Sequence, residues 1–254
     1  MRYLGALLVL ATLAAQTPSP PSGADWPGWR GPNRDGLARE TGLLQQWPAS
    51  GPPLAWKSSG LGAGFSSLSI SGDRIFTMGD RAEDQYLIAL SRTDGKELWR
   101  AKVGPAWDDE MPGPRGTPTV DGNRVYALGT EGDLVCADAA TGKVVWHKST
   151  RDFNGTMMSE WKYSESPQVD GDRVIFSPGN FGSILVALNK NTGEQVWKAQ
   201  GARLGQRGSN GASLCVGGGL RRRRRTPVCS AHRPWTDRSP RQRRQAVVEL
   251  QPRG

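Results

Sequence analysis

The chain is 254 residues long, with 33 basic and 24 acidic side chains and a formal net charge of +9. The basic excess is confined to residues 214–254, which hold eleven arginines against Asp237 and Glu249; residues 1–213 carry 22 charges of each sign. That distribution excludes nucleic acid as the partner of the chain's body, despite the run Arg221–Arg225. Of three cysteines, Cys215 and Cys229 fall in the same tail, which excludes a disulfide framework.

In chain order, Met1-Arg2 precedes the apolar run Leu4–Ala15. The run is long enough for the core of a signal peptide and too short to span a bilayer, and Ala14 and Ala15 offer a cleavage site. Residues 1–15 are therefore expected to be a signal peptide and 16–25, with TPSPPSG at Thr17–Gly23, a flexible leader. Export to the periplasm or the exterior follows, with no transmembrane span.

Between residues 65 and 201 one pattern is written three times, over 65–104, 105–150 and 151–201. Its first element reads SGDRIF at Ser71–Phe76, DGNRVY at Asp121–Tyr126 and DGDRVIF at Asp170–Phe176. Its second reads ALSRTDGKELW at Ala89–Trp99, CADAATGKVVW at Cys136–Trp146 and ALNKNTGEQVW at Ala187–Trp197. In both, polar residues with Gly sit between short runs rich in β-branched and aromatic side chains, the signature of a hairpin. Two hairpins give four strands, and a repeat of roughly 45–50 residues marks units that cannot bury their apolar faces alone. The expected fold is all-β: an incomplete β-propeller of about three four-stranded antiparallel blades. Asp94, Gly95, Trp99, Asp138, Thr141, Gly142, Trp146, Asn189, Thr192, Gly193 and Trp197 are read as repeat architecture, the Trp closing each unit as an apolar plug against its neighbour.

Two loops join one unit to the next: AWDDEMPGPRG at Ala106–Gly116 and RDFNGTMMSEWKYSES at Arg151–Ser166. Both run from an outer to an inner strand, so they share one face, where loops carry binding residues. Asp108, Asp109 and Glu110 read as solvated charge, since consecutive side chains point apart and a cation needs converging oxygens. Met157, Met158, Glu160, Trp161 and Tyr163 are unusual in a loop; packing back onto a blade is favoured over a partner surface. Cys136 replaces the Ala of the phrase and is expected to be a small buried hydrophobe, and His147 an exposed imidazole at a strand end. His232 lies in the tail. No phosphate-loop, nucleophile-elbow or HExxH motif occurs.

Residues 202–213 read as the start of a fourth blade, and 214–254 as an out-of-frame tail. Read from the second base of each codon, Pro227–Arg238 permits QYVQLTGRGLIG, and Arg244–Leu250 permits GKLLW, then Ser or Asn, then Tyr. The shifted Trp falls at Val248, at the interval that separates Trp146 from Trp197. The rival reading is a disordered basic tail.

The repeat resembles the quinoprotein-like propeller family, which includes pyrroloquinoline quinone (PQQ) dependent alcohol dehydrogenases and the lipoprotein of the outer-membrane barrel assembly machine. The family phrase A-x-D-x-x-T-G-x-x-x-W is matched by Asp138, Thr141, Gly142 and Trp146, with Cys136 at the Ala position; the first unit has Asp94 for the Thr and the third has Asn189 for the Asp. WPGWRGPNRDG at Trp26–Gly36 is similar to the start of secreted members, with Arg30 placed to reach a central channel. LAWK at Leu54–Lys57, within the segment 26–64, then supplies a closing outer strand. The resemblance covers about residues 26–213.

What the resemblance implies divides by class. One implication is an exported binding or scaffold propeller, presenting its loop face to a protein or extracellular ligand, with no catalytic site. The alternative is a fragment of a PQQ-dependent oxidoreductase; the dehydrogenases' adjacent cysteine pair has no counterpart here, nor does the lipoprotein's anchoring cysteine. Three blades cannot close a ring, so the chain as it stands is expected to be unstable and prone to aggregate.

Overall fold

The computed structural model describes residues 25–157 and 160–201. The segments expected to form a signal peptide, most of the leader and the start of a fourth blade, together with Met158 and the basic tail with Cys215, Cys229 and His232, lie outside the described residues.

The described residues form twelve strands in three four-stranded antiparallel sheets, each in sequence order. The first sheet holds β1 (Ser69–Ser71), β2 (Arg74–Arg81), β3 (Asp84–Ser91) and β4 (Glu97–Pro105). The second holds β5 (Thr119–Asp121), β6 (Arg124–Leu128), β7 (Asp133–Asp138) and β8 (Val144–Ser149); the third holds β9 (Gln168–Asp170), β10 (Arg173–Phe176), β11 (Leu185–Asn189) and β12 (Gln195–Ala199). A 3-10 turn, Thr150–Phe153, follows β8. These are the three blades of an incomplete propeller.

The middle strands do not alternate in polarity because blades cover them on both sides. Phe76, Met78, Leu87 and Ala89 of the first blade meet Val125, Ala127, Val135 and Ala137 of the second. The opposite face of the second blade, Tyr126, Leu128, Leu134 and Cys136, meets Val174, Phe176, Val186 and Leu188 of the third. On the first blade's other face, Ile75, Ile88 and Leu90 pack against Trp56, Leu61 and Ile70.

The N-terminal segment ties the inner strands together. Trp26 exchanges backbone hydrogen bonds with Ile70 of β1, and the Pro27 carbonyl accepts from the Val120 amide of β5. Ala63 bridges to Asp80 at the end of β2. Leu54–Lys57 runs outside any ladder among the described residues. Trp56 nevertheless occupies the position that Trp99 and Trp146 hold at the two junctions between the described blades.

Candidate functional site: blade junctions and the loop face

The last hairpin of each blade is built by one device. In the second blade the Gly142 amide donates to the Asp138 carbonyl, and the Asp138 amide to the Lys143 carbonyl, closing the turn. The Asp138 carboxylate accepts from the amides of Ala140 and Thr141 and from the Thr141 hydroxyl at 2.9 Å. These bonds, the Thr141 hydroxyl first, hold its pKa below the ordinary carboxylate value. In the third blade the Asn189 side-chain oxygen accepts from the Asn191 and Thr192 amides. The first blade exchanges the roles: Asp94 at the Thr position accepts from Ser91 at the Asp position, and with Lys96 this holds its pKa at about 2.

Each turn is a platform for the preceding Trp. The Trp99 indole lies on Gly142 and donates to the Ala139 carbonyl; the Trp146 indole lies on Gly193 and donates to the Lys190 carbonyl at 3.0 Å. Trp56 does the same with Gly95 and the Arg92 carbonyl, also at 3.0 Å. The three contacts are equivalent residue for residue. Of the residues named from the sequence, Trp99 thus meets Gly142 and Trp146 meets Gly193 between blades, while Gly95 meets Trp56 of the N-terminal segment.

The two inter-blade loops converge on Arg115, a residue the repeat does not mark. Its guanidinium lies 4.2 Å from the centre of the Trp107 ring, 5.3 Å from Trp161 and 5.5 Å from Phe65. Its nitrogens donate to the carbonyls of Gly113 and, at 2.6 Å, Met111. The cation is thus committed to rings and carbonyls, a stabilising arrangement for a guanidinium partly removed from water. Around it Phe65, Met111 and Trp161 are 54 %, 41 % and 36 % exposed. Tyr163, by contrast, is buried and donates to the Pro178 carbonyl, and Met157 packs against the core between the second and third blades.

Buried polar groups fix the start of the first loop. Gln85 donates to Asp80 at 2.8 Å and to Thr130 at 3.1 Å, while its carbonyl oxygen accepts from the Thr130 amide. The second oxygen of Asp80 accepts from the Trp107 amide at 2.8 Å, which holds the Trp107 backbone beside the first blade. Burial pushes the Asp80 pKa up. Nearby, the Glu165 carboxylate accepts from the Ser177 amide. Arg34, half-buried, feels the Glu165 charge, whereas Arg30 points to solvent. The arginine placed inward by the N-terminal segment is thus Arg34.

The remaining candidates lie elsewhere. Cys136 is fully buried, and burial pushes its thiol up to about 11, so it carries no thiolate at neutral pH. His147 sits on the outer rim, 2.9 Å from Asp133, in a cleft of about 450 Å³ that also presents Asp84 and Lys102. Asp108, Asp109 and Glu110 are exposed, and among the described residues no cluster of three metal-binding side chains forms. No helix among the described residues is long and apolar enough to cross a membrane.

A family model described as outer membrane protein assembly factor BamB matches residues 83–220. The chain is 31 % identical over 102 residues to a quinoprotein ethanol dehydrogenase of Pseudomonas aeruginosa, covering 38 % of this chain and 16 % of that protein. It is 28 % identical over 153 residues to outer membrane protein assembly factor BamB of Bordetella pertussis, covering 58 % of this chain and 34 % of that one. Among solved structures, quinohemoprotein alcohol dehydrogenase from Comamonas testosteroni aligns at a TM-score of 0.49 and 20 % identity, over 70 % of this chain and 27 % of its own. BamB from Moraxella catarrhalis aligns at 0.40 and 24 %, over 65 % and 43 %. The chain spans about a third or less of the curated relatives it matches. With its matched repeat units and their shared junctions, it belongs to the propeller family described as outer membrane protein assembly factor BamB.

Proposed function

We propose that this chain is part of an exported scaffold propeller whose loop face binds a protein partner. The observation that carries the reading is the Arg115 clamp. It joins two loops from different blades and leaves Phe65, Met111 and Trp161 exposed beside one another. Aromatic, Met and Arg residues in a fixed arrangement are the composition that dominates protein-binding surfaces. The partner is a protein met after export, in line with the assembly-factor name of the family.

The alternative, an oxidoreductase fragment using PQQ, is favoured by the names of the dehydrogenase relatives. Neither the Arg115 cluster nor the rim cleft fits that group. A planar quinone bearing carboxylates needs a flat slot with uncommitted cations, but Arg115 is engaged by rings and carbonyls. The rim cleft sets Asp84 and Asp133 against a single lysine, Lys102.

Two measurements separate the readings. A photo-crosslinking side chain at Met111 or Trp161 of the exported protein should yield one discrete protein adduct, while the same group at Leu98 on the outer rim should yield none. Absence of a loop-face adduct, or equal labelling from Leu98, overturns the scaffold reading. Alcohol-dependent dye reduction in the presence of PQQ and calcium would replace it with the oxidoreductase.

A further inference from the structure

The junction device occurs three times as indole, glycine and carbonyl, and a fourth indole awaits its turn. Trp56, Trp99 and Trp146 each lie on the next blade's glycine and donate to the same carbonyl position, Arg92, Ala139 and Lys190. Trp197 holds the corresponding place on β12, opposite Ala187, as Trp99 stands opposite Ala89 and Trp146 opposite Cys136. Among the described residues no glycine lies against it. A surface used three times in one way specifies its fourth occupant closely: a hairpin turn with a glycine, carried by a further blade.

The codons possible for the chain's own tail permit such an occupant in another frame. Read from the second base, the codons for Pro227–Val248 permit QYVQLTGRGLIGVRAKDGKLLW without contradiction between neighbouring codons. The codon for Trp235, followed by any threonine codon, becomes glycine with no freedom at all. The remainder contains a strand, a Gly-rich turn, a second strand, an Asp-Gly turn and an outer strand, in the order of the other blades. Its DGKLLW matches DGKELW at Asp94–Trp99 in five of six places, and its Trp falls at the repeat interval. One codon permits several residues; an ordered set of them ending in the junction phrase at the right distance is a different matter.

We infer that the far face of the third blade, centred on Trp197, is the seat of a fourth blade, and that this blade is encoded in the shifted frame from about Leu214 onward. The Arg-rich tail is then a product of the frame. The glycine permitted at Arg244 would lie on the Trp197 indole.

Sequencing of the gene across codons 205–225 from an independent isolate tests the frame. A one-base difference that opens the shifted frame is expected; an uninterrupted frame overturns the inference. The seat is tested on protein made from a gene lacking one base in that window. The Trp197 indole N–H should then exchange at least about tenfold more slowly than in the present chain, approaching Trp146 as an internal standard. An unchanged Trp197 rate with Trp146 protected overturns it. Should neither indole be protected, peptide mass spectrometry of the natural protein decides: a peptide containing DGKLLW supports the inference, and the tryptic peptide Gln245–Arg253 overturns it.

Discussion

Gly142 adopts a φ of +74°, and a Cβ there would lie 2.5 Å from the Trp99 ring. Gly171, in the first hairpin of the third blade, has φ +61° with open space around it. The two glycines separate backbone cost from contact cost. Gly171→Ala should cost about 1 kcal/mol, the left-handed penalty alone. Gly142→Ala should cost about 2–4 kcal/mol, because the indole must leave its platform as well. Equal losses in denaturant melts would show that the Trp contact contributes nothing. Charge at the same turns has a definite sign. Asp138 and Asp94 titrate below the ordinary carboxylate value of 3.8, so both hold protons more weakly folded than unfolded. Their stabilisation is complete above that value and lost as pH falls through the folded values. Thr141→Ala should raise the Asp138 midpoint and leave Asp94 at about 2, read by carboxyl NMR titration; an unmoved Asp138 contradicts the hydroxyl's role.

At the scale of elements, a shared irregularity explains a puzzle in the phrase itself. Its penultimate residue is apolar in every copy, yet Leu98, Val145 and Val196 are 47 %, 40 % and 40 % exposed. In each blade the register slips between the third and fourth strands at this point: Ala89 faces Trp99 but Leu90 faces Glu97, which leaves Leu98 as an extra residue. The same slip leaves out Val145 and Val196. Such a bulge re-aims side chains and here accompanies the Trp turned toward the next blade. Val145→Lys should therefore change stability by less than about 0.5 kcal/mol, whereas Trp146→Ala should cost about 3–5 kcal/mol. A large loss from Val145→Lys in the same melts would contradict the bulge. The hairpins, their glycines and the closing Trp were legible because each recurs at the repeat interval. The bulge was not legible, since an unpaired apolar residue looks like any strand residue. The Arg115 clamp was hidden for another reason: Phe65, Trp107 and Trp161 come from three separate segments, and no period joins them.

Over the whole molecule, the blades form an arc held by junctions, with the N-terminal segment along the inner strands. Trp26, Pro27 and Arg34 reach successively toward β1, β5 and the segment before β9. The loops on one face of this arc are fixed from below by the Asp80–Gln85–Thr130 network and from within by Arg115. A rigid aromatic surface of this kind loses little conformational entropy on binding, which suits it to a scaffold. The most direct test is the affinity of the crosslinked partner for a Met111→Ala, Trp161→Ala double variant, set beside a Leu98→Ala, Val145→Ala rim variant. The loop-face variant should bind at least about thirtyfold more weakly, the effect of losing one central anchor, while the rim variant binds like the unaltered chain. Unchanged binding by the loop-face variant, or equal weakening by both, would contradict the assignment of this face as the functional surface.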